Sequence, residues 1–301
     1  MTFSANGEHL LNGDDEEVRV WRVEDGEQVQ VEDGEQVATM EANVLSLAVS
    51  KDGRWIAAGT LFGYVFVWNA RTHKRVFSHW EDYHRIGVDF SPDSTRLVSA
   101  SHNRTASIWD IETGEVVQTL EHGALVIAAK YSPQGDRIAT ATGDSVRVWD
   151  SNSGRLLVDI KVTVTPWYNT GLLWFNNLLF AISGSKIKQI EVSTGSPVSE
   201  WPVPDTNKNS NIVLPKHGKF IAYSTQRKVT FWSTATHTQL GLIEHPEDIR
   251  SIAVSPDDRF LAIGGEDGKI TINSLSHITV SILSRWIVAH MNNFLSPVIF
   301  P

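Results

Sequence analysis

Residues Ser255–Asn273 read SPDDRFLAIGGEDGKITIN, and residues Ser91–Trp109 read SPDSTRLVSASHNRTASIW. Each copy opens on Ser-Pro-Asp. Proline presets φ for the second position of a turn, and aspartate suits the third. A short apolar run comes next: Phe260, Leu261, Ala262 and Ile263 in one copy, Leu97 and Val98 in the other. A polar turn interrupts it, Glu266-Asp267-Gly268 or Ser101-His102-Asn103-Arg104. Each copy then ends in an alternating strand, with Ile270 and Ile272 or Ala106 and Ile108 on one face. In both, 18 residues separate the turn serine from the final residue. The unit is a hairpin of fixed length, half of a larger repeat.

Aligned on its last, mostly aromatic residue, the unit recurs along the whole chain, at Trp21, Trp68, Trp109, Trp149, Ile190, Trp232 and Asn273. The steps are 47, 41, 40, 41, 42 and 41 residues. A period of about 40–45 residues with four short strands is a propeller signal, and seven units fall in the usual range of blade number. The sequence therefore predicts an all-β chain, a seven-bladed β-propeller of four-stranded antiparallel blades. As a single domain over 1–301, its blades fall at roughly 1–39, 40–79, 80–121, 122–161, 162–202, 203–244 and 245–289, with a tail at 290–301. The long first step contains a tandem duplication, Val23–Val29 repeated as Val31–Val37, expected in the turn between third and outer strands. Blade five is the most degraded, with Ile190 as its anchor and short second and third strands expected.

The turns keep the same register. Five residues past the anchors stand Gly26, Gly114, Gly154 and Gly195, the left-handed residue of a hairpin turn. His73 and His237 take that place in two blades and are read as turn residues, not ligands. Little chain precedes the first turn, so blade one lacks most of an innermost strand. The segment from His290 to Phe300 matches the sequence from His245 onward and is expected to complete blade one, or to compete with Met1–Ser4 for that slot. Trp286-Ile287-Val288 would be the outer strand of blade seven.

Composition narrows the chemistry. The chain is 41% hydrophobic and 20% charged, as globular chains are, and contains no cysteine. Disulfides, thiol catalysis and Cys-ligated zinc are excluded. Of the net charge of −9, residues 1–41 carry −10: twelve carboxylates against Arg19 and Arg22. An acidic edge disfavours nucleic acid there. The most apolar stretch, Val280–Phe300, is broken by Ser284, Arg285, His290, Asn292 and Asn293, so no membrane span is expected. The eleven histidines are scattered, and the nearest pair, His79 and His84, suits neither a helix face nor one strand face. Gly264-Gly265-Glu266-Asp267-Gly268 joins strand to strand, not strand to helix, and is no phosphate loop. No metal, cofactor or catalytic residue is expected.

Ser-Pro-Asp turns, strands ending in Trp109-Asp110 and Trp149-Asp150, and Thr113-Gly114-Glu115 resemble the WD-repeat β-propeller family over nearly the whole chain. The texture is also similar to the propeller arrays of large signalling ATPases. The resemblance implies a buried network of a histidine, a turn aspartate, a strand Ser or Thr, and the Trp anchor. In blade four these are His122, Thr140, Asp144 and Trp149. Blade three has Ser99 and Trp109 but Glu81 in the histidine's place. Blade seven keeps His245 and Asp267, with Ile263 and Asn273 where the hydroxyl and the Trp would be. Trp21, Trp68, Trp109, Trp149 and Trp232 are expected in the core, each facing the next blade.

The family also implies a docking face, ringed by the loop before each first strand and the turn between second and third strands. Residues at such places are Phe62, Tyr64, Trp80, Tyr83, His84, Arg85, His102, Arg104, Trp167, Tyr168, Arg227 and Arg250. Aromatics and Arg are the usual material of hot spots. The expected function is a non-catalytic scaffold that binds one or more protein partners, with no nucleic acid and no membrane, in the cytoplasm or alternatively the nucleus, within a larger complex or a longer parent chain. One alternative is the ligand-sensing propeller region of a larger signalling NTPase. Another is an enzyme built around the central channel. The apolar first strands (Val44, Leu45 and Leu47; Leu125, Val126 and Ile127; Ile249 and Ile252) argue against that last reading.

Overall fold

The second strands explain the architecture best. Trp55–Thr60, Arg96–Ser101 and Arg137–Thr142 are each buried at every residue after the first. A strand buried on both faces reads as a near-continuous run of small and apolar residues, with no alternation. The outer strands Arg75–Trp80 and Val116–Glu121 are instead largely exposed. Burial therefore falls from the middle of each blade to its rim. Such blades leave both flat faces apolar and must stack on neighbours.

A computed structural model describes residues 1–13, 17–23, 36–80, 86–162, 164, 171–203 and 211–276. It is a seven-bladed β-propeller. Blade three shows the pattern: Ile86–Phe90, Arg96–Ser101, Thr105–Asp110 and Val116–Glu121 pair antiparallel in that order. Six blades have four strands. The seventh shows Ile249–Val254, Phe260–Gly265 and Ile270–Ser274 among the described residues. Its expected outer strand at Trp286–Val288 and the tail 290–301 lie outside them. The innermost slot of blade one holds Thr2–Phe3, paired with Leu11 and Leu10. The expected short strands of blade five are not found: Leu178–Ser183 and Lys186–Glu191 are full length, because Leu179, Phe180, Ala181 and Ile182 supply a complete buried strand. Its first strand, Leu172–Phe175, is the shortened one.

Among the described residues the core lies in seven clusters, each shared by two successive blades. The last joins Phe3 and Leu10 of blade one to Ala253, Ala262, Ile270 and Ile272 of blade seven and closes the ring. The anchors are core, but their direction corrects the sequence reading. Trp68 packs with Leu11 and Val18 of blade one, and Trp109 with Val65 and Val67 of blade two. Each faces the preceding blade. Side chains alternate between two faces, and alternation alone does not say which face meets which neighbour. In six blades the outer strand carries a bulge beside the anchor, as between Ile108 and Trp109.

The turns between first and second strands of blades two, three and seven share one design. Ser91 Oγ donates to Asp93 and accepts from the Arg96 amide at 2.9 Å; Ser255 does the same with Asp257 and Phe260. His73 and His237 have φ of 54° and 58°, the left-handed positions expected of them.

Candidate functional site

In an antiparallel blade, the start of the first strand and the turn between second and third strands lie at the same end. Phe62, Tyr64, Trp80, His102, Arg104, Arg227 and Arg250 therefore share one face of the ring. Tyr83, His84, Arg85, Trp167 and Tyr168 lie outside the described residues.

Blade two carries the most prominent feature. Phe62, Tyr64 and Trp80 are 54%, 41% and 53% exposed. Tyr64 and Trp80 are directly opposite across the third and outer strands. The Trp80 indole donates to the Phe62 carbonyl at 3.2 Å, which ties the outer strand to the turn. Gly63 takes a φ of 88° there, a conformation in which a Cβ is strained. From Tyr64 a ladder of rings runs inward, to Phe66 at 5.6 Å and on to Trp68 at 5.5 Å. The exposed corner thus rests on the buried anchor.

On blade three, Asn103 Oδ1 accepts from the Thr105 amide and hydroxyl and sets the turn. Arg104, at φ 73°, holds the His122 amide with its carbonyl, and its guanidinium has no ion-pair partner among the described residues. His102 is half-buried beside it. The other two arginines are committed. Arg227 pairs with Glu247 at 3.7 Å and Asp248 at 3.1 Å, and Arg250 pairs with Glu266 at 2.9 Å. Exposed pairs of this kind contribute little and exchange readily. Residues two dozen or fewer apart formed these pairs across turns, which the sequence pattern did not reveal.

The buried network is present in blade four without its aspartate. His122 donates through Nδ1 to the Leu120 carbonyl at 2.9 Å, and its Nε2 meets Thr140 Oγ1 at 2.8 Å. The Trp149 indole donates to the same hydroxyl at 2.8 Å. Burial pushes the His122 imidazole down to about 4, so it is neutral and accepts from Thr140. Asp144 is not part of this chain. Its carboxylate accepts from Thr142 Oγ1, because the Leu120 carbonyl already occupies the nitrogen it would use. Thr140 is fully buried and no acid orients the histidine, so the set is structural and has no exposed nucleophile. Blade three keeps Trp109 bonded to Ser99 at 2.9 Å and puts His79 against the indole at 4.7 Å, a substitute from the neighbouring blade's outer strand that the sequence did not flag. Trp232 turns instead to Thr230, and Trp201, an outer-strand residue missed by the repeat, is buried against His237 at 4.4 Å.

Blade seven retains the histidine without its partners. His245 Nδ1 meets the Glu247 carbonyl at 2.8 Å, but among the described residues its Nε2 and the Asn273 amide nitrogen have none. Asp267 caps its own turn through the Lys269 amide. His122→Leu is accordingly expected to cost about 1–3 kcal/mol, the range for stranding buried polar groups. His245→Leu should change stability by less than about 1 kcal/mol, since one ring nitrogen is already unpaired. Urea melts of both variants compare them, and equal costs would contradict the assignment.

Among the described residues, no three His, Asp or Glu side chains converge as a metal site, and no helix is long and apolar enough to cross a membrane.

The sequence profile of the WD domain, G-beta repeat family matches residues 34–69, 72–110, 114–150 and 236–273. Small ribosomal subunit protein RACK1y of Oryza sativa subsp. japonica is 28% identical over 133 residues, 44% of this chain and 39% of its own. Autophagy-related protein 16 of Arabidopsis thaliana is 27% identical over 282 residues, 92% of this chain and 47% of its own. The human serine-threonine kinase receptor-associated protein is 24% identical, covering 61% of this chain and 53% of its own. The chain thus spans about half the length or less of these curated relatives. A chain in a crystal structure of the mitotic checkpoint complex superposes with a TM-score of 0.76 at 19% identity, over 90% of this chain and 85% of that one, which shows a shared fold.

Proposed function

Because the chain belongs to the WD-repeat β-propeller family, we propose that it works as a single non-catalytic scaffold unit that captures a protein partner on its loop face, in the cytoplasm or nucleus. The observation that carries this reading is the corner formed by Phe62, Tyr64 and Trp80. A contiguous group of exposed aromatics marks an interaction site, and here Tyr64 and Trp80 are opposed across two strands while the Trp80 indole holds the backbone of Phe62. Aromatic side chains with few rotatable bonds lose little entropy on binding. Arg104, with no ion-pair partner among the described residues, lies on the adjacent blade as the polar member of the patch. The names of the relatives, a ribosomal subunit protein, a receptor-associated protein and a chain of a checkpoint complex, support membership of assemblies in general. The identity of the partner is a matter for capture.

The test uses Phe62→Ser with Trp80→Ser. Affinity capture from the native source should recover the wild-type partner at least about tenfold less well with the variant, as expected for hot-spot loss. Its melting midpoint should stay within about 1 °C, since exposed substitutions usually cost under ~0.5 kcal/mol. Undiminished capture, or loss of folding, would remove the corner from the docking face. Arg104→Ala is expected to give a smaller loss of the same kind.

A further inference from the structure

Six of the seven seams between blades are filled from the same two positions at the end of the ring opposite the loop face. One is the first residue of each second strand. The other lies two residues past the anchor on the following blade. Backbone bonds fix the second position: Ala70, Ile111, Ser151, Val192, Thr234, Leu275 and Val23 each donate to the residue just before their blade's second strand. At three seams the first position supplies a ring: Trp55 against Ile111, Phe220 against Leu275, and Phe260 against Val23. At two it supplies an arginine that reaches across, Arg96 to the Ser151 carbonyl and Arg137 to Asn177. Leu178 serves at the seam between blades five and six.

The seam between blades one and two breaks this rule. His9 stands at the ring position and Ala70 opposite, the smallest side chain at its position around the ring. A cleft of about 430 Å³ results, within the usual range for small-ligand sites. Leu11, Val20, Val49 and Ile56 form its apolar floor, and His9 and His73 face into it. Neither imidazole has a hydrogen-bond partner among the described residues. At the rim Asp52 is held by Ser50 and its charge is balanced by Arg54, while Arg71 is an exposed side chain of the mouth; a preference for a neutral ligand rests on the apolar floor.

We propose that this cleft binds a small neutral phenol, whose ring takes the place that Trp55, Phe220 and Phe260 fill at other seams and whose hydroxyl bonds the imidazoles of His9 and His73. A neutral imidazole offers one donor and one acceptor, and a hydroxyl can serve both. Burial first, and then the nearness of His9, hold the His73 imidazole below its ordinary value. The site lies away from the loop face, so its occupancy is separable from partner capture.

The experiment titrates the full chain with 4-ethylphenol, ethylbenzene and 4-ethylbenzoate, followed by calorimetry and methyl NMR. Saturable binding of 4-ethylphenol is expected, with ethylbenzene about tenfold weaker for the lost hydroxyl bonds and 4-ethylbenzoate weaker again. His9→Trp supplies the missing ring from the protein and should abolish binding. Ala70→Leu fills the same space from the other blade and should weaken it by about tenfold or more, giving a second route if the first variant folds poorly. Absence of saturable binding overturns the proposal, as does binding unchanged in Ala70→Leu. Ethylbenzene binding as tightly as the phenol removes the role of the imidazoles, and a preference for 4-ethylbenzoate overturns the neutral class.

Discussion

Trp109→Ala is expected to destabilise the protein by about 3–5 kcal/mol, the usual range for deleting a buried Trp. Trp109 is fully buried. It touches Phe77 at 6.4 Å and His79 at 4.7 Å between ring centroids, both from blade two, and donates its indole N–H to Ser99 within its own blade. Its loss therefore opens a cavity in the seam where blades two and three share one cluster. For a chain of this size the melting midpoint should fall by roughly 5–10 °C. Trp109→Phe keeps most of the ring and should lose about half as much or less. Thermal melts and urea titrations provide the comparison. A cost under about 1 kcal/mol would mean that the seam collapses around the gap.

Acid should weaken the fold through His122, because the unfolded chain binds its proton more tightly. In the folded ring burial lowers its pKa to about 4 from an ordinary 6.5. Below 6.5 the unfolded chain takes up a proton that the folded chain still refuses. The unfolded state therefore binds more protons between those values, and stability falls as pH falls from about 6.5 to about 4. The total is on the order of 2–3 kcal/mol, and above about 6.5 this group adds no slope. His73 and His217 are also lowered, mainly by burial, and add to the same trend, so the informative quantity is the difference between proteins. In His122→Leu the slope across that window should be shallower by His122's share. Identical pH profiles for wild type and variant would show that the imidazole is charged in the folded state.

Much of this architecture was legible because propeller turns use side-chain chemistry that leaves a fixed mark. Ser91-Pro92-Asp93 closes through its own hydroxyl and carboxylate, and Ser255-Pro256-Asp257 repeats it. His73 and His237 could be placed at positive φ because glycines hold the matching position in other blades. The direction of the anchors could not be read in the same way. Trp109 and Ile108 are neighbours that face blades two and four respectively, and a period of two carries no label for either side. The face was less legible than the fold. Arg227 and Arg250 stood at docking-face positions, and the carboxylates on adjacent turns that pair with them were not apparent from the repeat. Asp144 stood at the right spacing for His122, but a backbone carbonyl two residues away reached the ring first.

The sharing of every hydrophobic cluster between two blades has a kinetic consequence. A linear array of repeats can fray: its end unit detaches by opening one interface, and the next goes after it. In a closed circle, with Phe3 and Leu10 set against Ala253 and Ala262, there is no end unit to lose. Freeing any blade requires two interfaces to part together. Unfolding should then be slow and concerted, and the lifetime of the folded chain should exceed what the strength of a single interface would suggest.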